Sequence, residues 1–158
     1  RASVRTLVPP REVSIGPGLC VLLGVEVGDG PAEADWIADK LPRLRIFADE
    51  DGRMNRDLGA VSGGILLISQ FTLAGDCRRG NRPSFVLAAP PDEGRRGYEH
   101  VRDRLQAAGV SVETGVFGAS MQVELVNDGP VTLVLDRRPP GNEGEEPGGV
   151  RSGPAPAD

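Results

Sequence analysis

Apolar residues run without interruption through Leu19–Val25 and again through most of Gly64–Ser69. Runs of that length suit strands covered on both faces. Elsewhere the spacing is helical. Ala34, Ile37, Leu41 and Leu44 recur at three- and four-residue intervals, and Pro31 fits the first turn of the helix they predict. Pro42 should end that helix near Leu41, because the residue before a proline avoids helical dihedrals. Tyr98, Val101, Leu105 and Ala108 form a second stripe, on a helix expected from Asp92 as N-cap to Gly109 as C-cap. Met121, Val123 and Leu125 alternate with Gln122 and Glu124, which predicts a strand with one buried face. Shorter strands are expected at Ser3–Leu7 and Glu12–Ile15 around a Pro9-Pro10 turn, and at Arg45–Phe47 ahead of an Asp51-Gly52 turn. A last strand is expected at Val131–Leu135, after the break at Asp128-Gly129-Pro130. Five or more strands with two helices predict an α/β fold in which the helices pack on a sheet.

Composition narrows this picture. The 158 residues amount to one domain, long enough to bury about two thirds of its unfolded surface. From Arg137 the character changes: residues 137–158 hold five Pro and five Gly in 22 positions. Such a segment cannot bury enough surface to offset its ordering entropy, so residues 1–136 are expected to form the domain and 137–158 a disordered tail. No apolar run approaches the ~20 residues of a membrane helix, and Arg1–Pro10 has no apolar signal-peptide core. Cys20 lies in an apolar run and reads as a buried small hydrophobe, while Cys77 lies in a polar stretch. Neither a disulfide framework nor a zinc-ligand spacing is present, which fits a reducing, cytoplasmic setting. With His100 as the sole histidine, a catalytic triad and a multi-histidine metal site are both disfavoured. The net charge of −5 argues against a protein that coats nucleic acid non-specifically, but it permits a local basic site.

Three segments carry candidate chemistry. Ser69-Gln70-Phe71-Thr72 ends a buried strand in polar residues beside an aromatic. Backbone N–H groups that leave a sheet there can face a substrate carbonyl and stabilise an oxyanion, or these side chains simply satisfy the strand end. Arg78, Arg79 and Arg82 flank Gly80 in the densest positive cluster of the domain, suited to phosphate contacts or to a solvated loop. Gly129-Pro130, within Asn127–Thr132, reads either as an ordinary turn or as a cis peptide aiming two consecutive carbonyls one way. Two further groups invite catalytic roles without strong support: His100 on an exposed helical position, and Cys77 beside two arginines.

Taken together, Ser-Gln-Phe-Thr-Leu, Arg-Gly-x-Arg-Pro-Ser-Phe and Asn-x-Gly-Pro-Val-Thr, in this order and spacing, closely resemble the D-aminoacyl-tRNA deacylase family. Arg1–Val4, Gly18–Gly24, Arg45–Phe47, Met54-Asn55 and Thr114–Ala119 leading into Met121–Val123 match as well, so the resemblance spans about residues 1–136. It implies a mixed, mainly antiparallel sheet or partial barrel with two helices packed on it. It also implies a homodimer acting on the 3′ end of aminoacyl-tRNA, with no metal or organic cofactor. Family members usually carry a further strand ahead of the Arg-Ala-Ser-Val segment, supplying half of the first hairpin and an arginine that braces the Gly-Pro segment. The sequence in hand begins at Arg1, inside that pattern.

The resemblance further implies a reaction: hydrolysis of the ester that links a D-amino acid, or glycine, to the terminal ribose. Gly129 and Pro130 of one subunit, joined in cis, would face the α-carbon in the other subunit's pocket and obstruct an L side chain. Selectivity then comes from exclusion, which leaves glycine hard to reject. Ser69, Gln70, Phe71 and Thr72 would form the catalytic turn, with the Phe71 and Thr72 N–H groups on the ester carbonyl. Gln70 and Phe71 would meet the terminal adenosine. A threonine nucleophile needs a base, and the sequence offers no evident one, since the one lysine, Lys40, lies on the first helix. Thr72 is therefore expected to position the substrate, and a ribose hydroxyl to help activate water. Arg78, Arg79 and Arg82 would contact the tRNA. The other reading is a catalytically inactive RNA- or partner-binding protein of the same fold.

Overall fold

The computed structural model describes residues 1–139; most of the segment expected to be a disordered tail lies outside the described residues. Two sheets and a pair of helices stack in layers. In the first sheet, β1 (Ala2–Leu7) lies between β2 (Pro10–Ile15) and β8 (Met121–Leu125), antiparallel to both. In the second, β6 (Gly64–Ser69) lies between β3 (Gly18–Leu23) and β7 (Val112–Thr114), parallel to both. Helices α1 (Pro31–Lys40) and α2 (Pro91–Ala107) pack together over the second sheet. A separate ribbon pairs β4 (Phe47–Ala48) with β5 (Met54–Arg56). The mixed α/β architecture with two helices is thus as the sequence predicts. The sheets stay open and do not close into a barrel.

The layering explains the apolar run of β6. Its side chains alternate between two cores. Ile65 and Leu67 join Ala38, Leu41, Tyr98, Val101 and Leu105 beneath the helices. Leu66 and Ile68 join Ala2 and Val4 between the sheets. Both faces are covered, so all four are essentially inaccessible. The Tyr98 hydroxyl crosses into this sheet and donates to the Leu67 carbonyl at 2.9 Å. That bond satisfies the polar end of a buried aromatic ring.

Several expectations change. The Leu19–Val25 run looks like β6 but forms an edge strand, so it is only half-buried and Leu22 is 46% exposed. Cys20 accordingly packs on the inter-sheet core while remaining half-buried. The apolar side of β8 is covered only at its start: Met121 packs on the inter-sheet core, while Val123 and Leu125 are exposed on this edge strand. Val131–Leu135 forms no strand: the chain leaves the sheet after Leu125, with a last backbone bond from Val126 N–H to the Arg1 carbonyl, and finds no further ladder partner among the described residues. Arg45–Phe47 contributes only Phe47 to a two-residue strand. Ala108 caps α2 and is exposed instead of completing its stripe. The first hairpin of the described residues is formed by β1 and β2, paired from Ala2↔Ile15 to Leu7↔Pro10.

Candidate functional site

β6 delivers Ser69 to the end of the central parallel strand, and the backbone changes course at the next residue. The Gln70 N–H still extends the ladder, donating to the Leu23 carbonyl at 2.8 Å. At φ −143°, ψ 82° Gln70 then turns the chain into a 3₁₀ turn, Phe71–Ala74. Within that turn the Leu73 N–H donates to Gln70 O and the Gly75 N–H to Thr72 O. The N–H groups of Phe71 and Thr72 precede the first bonded donor, where a helical turn leaves its donors without an acceptor of its own. Buried Ala74 anchors the turn, while Phe71 and Thr72 are exposed and Ser69 and Gln70 half-buried. The Gln70 amide donates to the Thr72 hydroxyl oxygen, which fixes both side chains. That contact uses Thr72 as an acceptor and places no base beside its proton.

The arginine-rich segment folds back on this turn. Asp76 and Ser84 exchange backbone hydrogen bonds at 2.8 and 2.9 Å, closing a loop over 77–83. Beyond the closure, Phe85 meets Phe71 edge to face, with ring centroids 5.2 Å apart. The contact needs a glycine at position 75. A Cβ there would lie 2.9 Å from both the Phe85 ring and the Thr72 carbonyl oxygen. Inside the loop, the Asp76 carboxylate accepts from the Arg78 backbone N–H and from its guanidinium at 2.8–2.9 Å. These bonds, the side-chain ones foremost, hold the Asp76 carboxyl at about 2. Asp76, Arg78, Arg79 and Ser84 line an open depression of about 560 Å³. Arg79 and Arg82 are exposed. Arg78 is thus part of a fork with Asp76, a partner the sequence reading missed although an aspartate two residues before a loop arginine is a recognisable turn signal. Phe85 was likewise legible only as part of the motif.

Gly129-Pro130 lies in an exposed segment without regular structure, and its peptide bond is cis, as is Val8-Pro9. The Phe71–Phe85 contact brings the first two motifs together, and among the described residues no hydrogen bond joins Asn127–Thr132 to Ser69–Thr72. His100 sits at the α1–α2 contact, 2.8 Å from Asp35, with Arg104 bridging Asp35 and Asp39. The His100 hydrogen bond, helped by Arg104, lowers the Asp35 carboxyl below its ordinary range. Cys77 is an exposed free thiol in the arginine loop. Among the described residues, no three His, Cys, Asp or Glu side chains gather so as to hold a metal ion, and no helix is long and apolar enough to cross a membrane.

Residues 1–136 match the family model of the D-Tyr-tRNA(Tyr) deacylases, which takes in every element described above. The chain belongs to that family. The D-aminoacyl-tRNA deacylase of Paracidovorax citrulli (strain AAC00-1) is 62% identical over 127 residues, covering 80% of this chain and 82% of that protein. The deacylase of Heliobacterium modesticaldum (strain ATCC 51547 / Ice1) is 55% identical over 135 residues, covering 85% and 90%. Among solved structures, a c-Myc DNA unwinding element binding protein superimposes with a TM-score of 0.79 at 36% identity, covering 87% of this chain and 93% of its own. A probable eukaryotic D-amino acid tRNA deacylase, 15% identical, shares the fold at a TM-score of 0.66 over 78% of this chain and 87% of its own. In this deacylase-family chain, the Phe71–Phe85 contact joins the Ser69–Thr72 turn to the end of the arginine loop.

Proposed function

We propose that the chain hydrolyses the ester between a D-amino acid, or glycine, and the 3′ end of tRNA, sparing L-aminoacyl-tRNA. The observation that carries this reading is the family match, which runs through the whole folded core rather than one motif. The exposed turn after β6 suits the chemistry. The leading N–H groups of Phe71 and Thr72 donate to the ester carbonyl oxygen as negative charge develops on it, and donors aimed in advance at that charge are a large source of rate. Gln70 holds the Thr72 hydroxyl as an acceptor, so Thr72 positions the substrate and water is the nucleophile. Phe71, braced by Phe85, offers a face to the terminal adenine. Arg79 and Arg82 meet the tRNA backbone, and Arg78 does so as part of its fork with Asp76.

Chiral selection falls to Gly129 and Pro130, whose carbonyls obstruct an L side chain across a homodimer interface. The protein acts in the cytoplasm on aminoacyl-tRNA and needs no cofactor. The test is hydrolysis of D-tyrosyl-tRNA against L-tyrosyl-tRNA by the purified protein. Rapid loss of the D ester with the L ester spared is expected. A folded, dimeric protein inert toward both would remove the deacylase reading and put nucleic-acid binding in its place; the c-Myc DNA unwinding element binding protein is named for binding of that kind.

A further inference from the structure

Among the described residues, no strand pairs with the segment proposed above for chiral selection. It is exposed, and neither the side chain of Gly129 nor the nitrogen of Pro130 can make a hydrogen bond. Its φ of +151° at Gly129 is one that L side chains rarely adopt, and an added Cβ would lie 3.0 Å from the Val131 nitrogen and side chain. Carbonyls that reject a substrate by obstruction must be held in place, because an obstacle that yields rejects nothing. Among the described residues, the Asn127 side chain spans this segment. Asn127 Oδ1 accepts the Val131 N–H at 3.0 Å, and Asn127 Nδ2 donates to the Thr132 hydroxyl oxygen at 3.1 Å. Both ends of the amide are used, and both partners lie beyond Pro130. The amide therefore closes a loop around residues 128–130 from one side to the other.

We propose that Asn127 is a positioning residue for stereochemical selection, clasping the Gly129-Pro130 segment so that its carbonyls keep the L side chain out. Asn127 touches no reacting atom, so its loss affects rejection more than turnover. The inference rests on the deacylase reading above, and the experiment separates the two.

The test is single-turnover hydrolysis of D- and L-tyrosyl-tRNA by the intact chain and three variants. Asn127→Ala removes both bonds. It should raise the L-ester rate about tenfold, the loss expected from a pair of modest hydrogen bonds, and leave the D-ester rate within about twofold. Asn127→Asp keeps the acceptor for Val131 N–H and can accept from the Thr132 hydroxyl, so it should restore selectivity to near the parent ratio. Thr132→Val removes one leg and should give an intermediate ratio. Thermal unfolding of each variant shows whether the fold is intact. An unchanged D:L ratio in folded Asn127→Ala overturns the proposal. Equal loss of both activities also overturns it, as does failure of Asn127→Asp to rescue, because each assigns Asn127 to general integrity. If the parent protein, folded and dimeric, cleaves neither ester, the deacylase reading itself fails and this one falls with it.

Discussion

At the scale of single residues, the candidate site depends on contacts short enough to be tested one at a time. Gly75 lets Phe85 and the Thr72 carbonyl approach within the space a methyl group would need. Gly75→Ala must therefore displace the Phe71–Thr72 turn or the Phe85 ring. A shift near 1 Å beside reacting groups lowers turnover by on the order of tenfold to a hundredfold. Steady-state hydrolysis of D-tyrosyl-tRNA, with circular dichroism to confirm the fold, checks this; an unchanged rate would show that the turn has slack. Asp76 gives a pH prediction. Its folded carboxyl titrates at about 2, below the ordinary carboxylate value of 3.8. A depressed folded value means that the fork's contribution is present above pH ~4 and is lost as pH falls from there toward 2. Proton NMR of the Arg78 guanidinium should show its protection disappearing over that interval and absent throughout in Asp76→Asn. Motif residues such as Gln70 and Arg78 were legible in the sequence, but their bonding was not. Which lone pair or guanidinium edge is engaged depends on rotamers that only the folded loop selects.

At the scale of elements, two apolar runs that look alike behave differently. β6 is central and covered by the helices on one side and by the first sheet on the other. β3 is an edge strand. Leu66→Ala and Leu67→Ala should each destabilise the protein by about 3 kcal/mol, because each leaves a cavity in a core that cannot collapse around it. Leu22→Ala, at 46% exposure, should lose less than about 1 kcal/mol. Urea unfolding with a shared m-value measures all three; equal effects for Leu22 and Leu66 would contradict the layering. Periodicity placed both helices and β8, because a repeat of apolar positions is visible in the sequence, and the unbroken apolar run placed β6, which is covered on both faces. Periodicity missed β7, since three residues are too few to show a period. It could not see that Val131–Leu135 lacks a partner, because strand pairing is a property of neighbours rather than of the segment.

At the scale of the whole molecule, apolar side chains remain open to solvent on one part of the chain. Val123, Leu125, Val126, Leu133 and Val134 are all exposed, with Val134 at 92%. An exposed apolar edge of this kind is ordinarily covered by a partner. The homodimer proposed above predicts light-scattering masses of twice 16.6 kDa at micromolar concentration. A monomer that still discriminates D from L esters would show that Gly129 and Pro130 act on the pocket of their own subunit. By itself the sequence determined the fold class and the family, because hydrophobic period and motif spacing are local properties of the chain. Only the tertiary structure decided which apolar run is central and which lies at an edge. It alone shows that the Phe71–Phe85 contact joins the Ser69–Thr72 turn to the end of the arginine loop, and that Asn127 spans the Gly129-Pro130 segment. Burial, ring packing and side-chain hydrogen bonds arise when distant residues meet, and composition and spacing do not record those meetings.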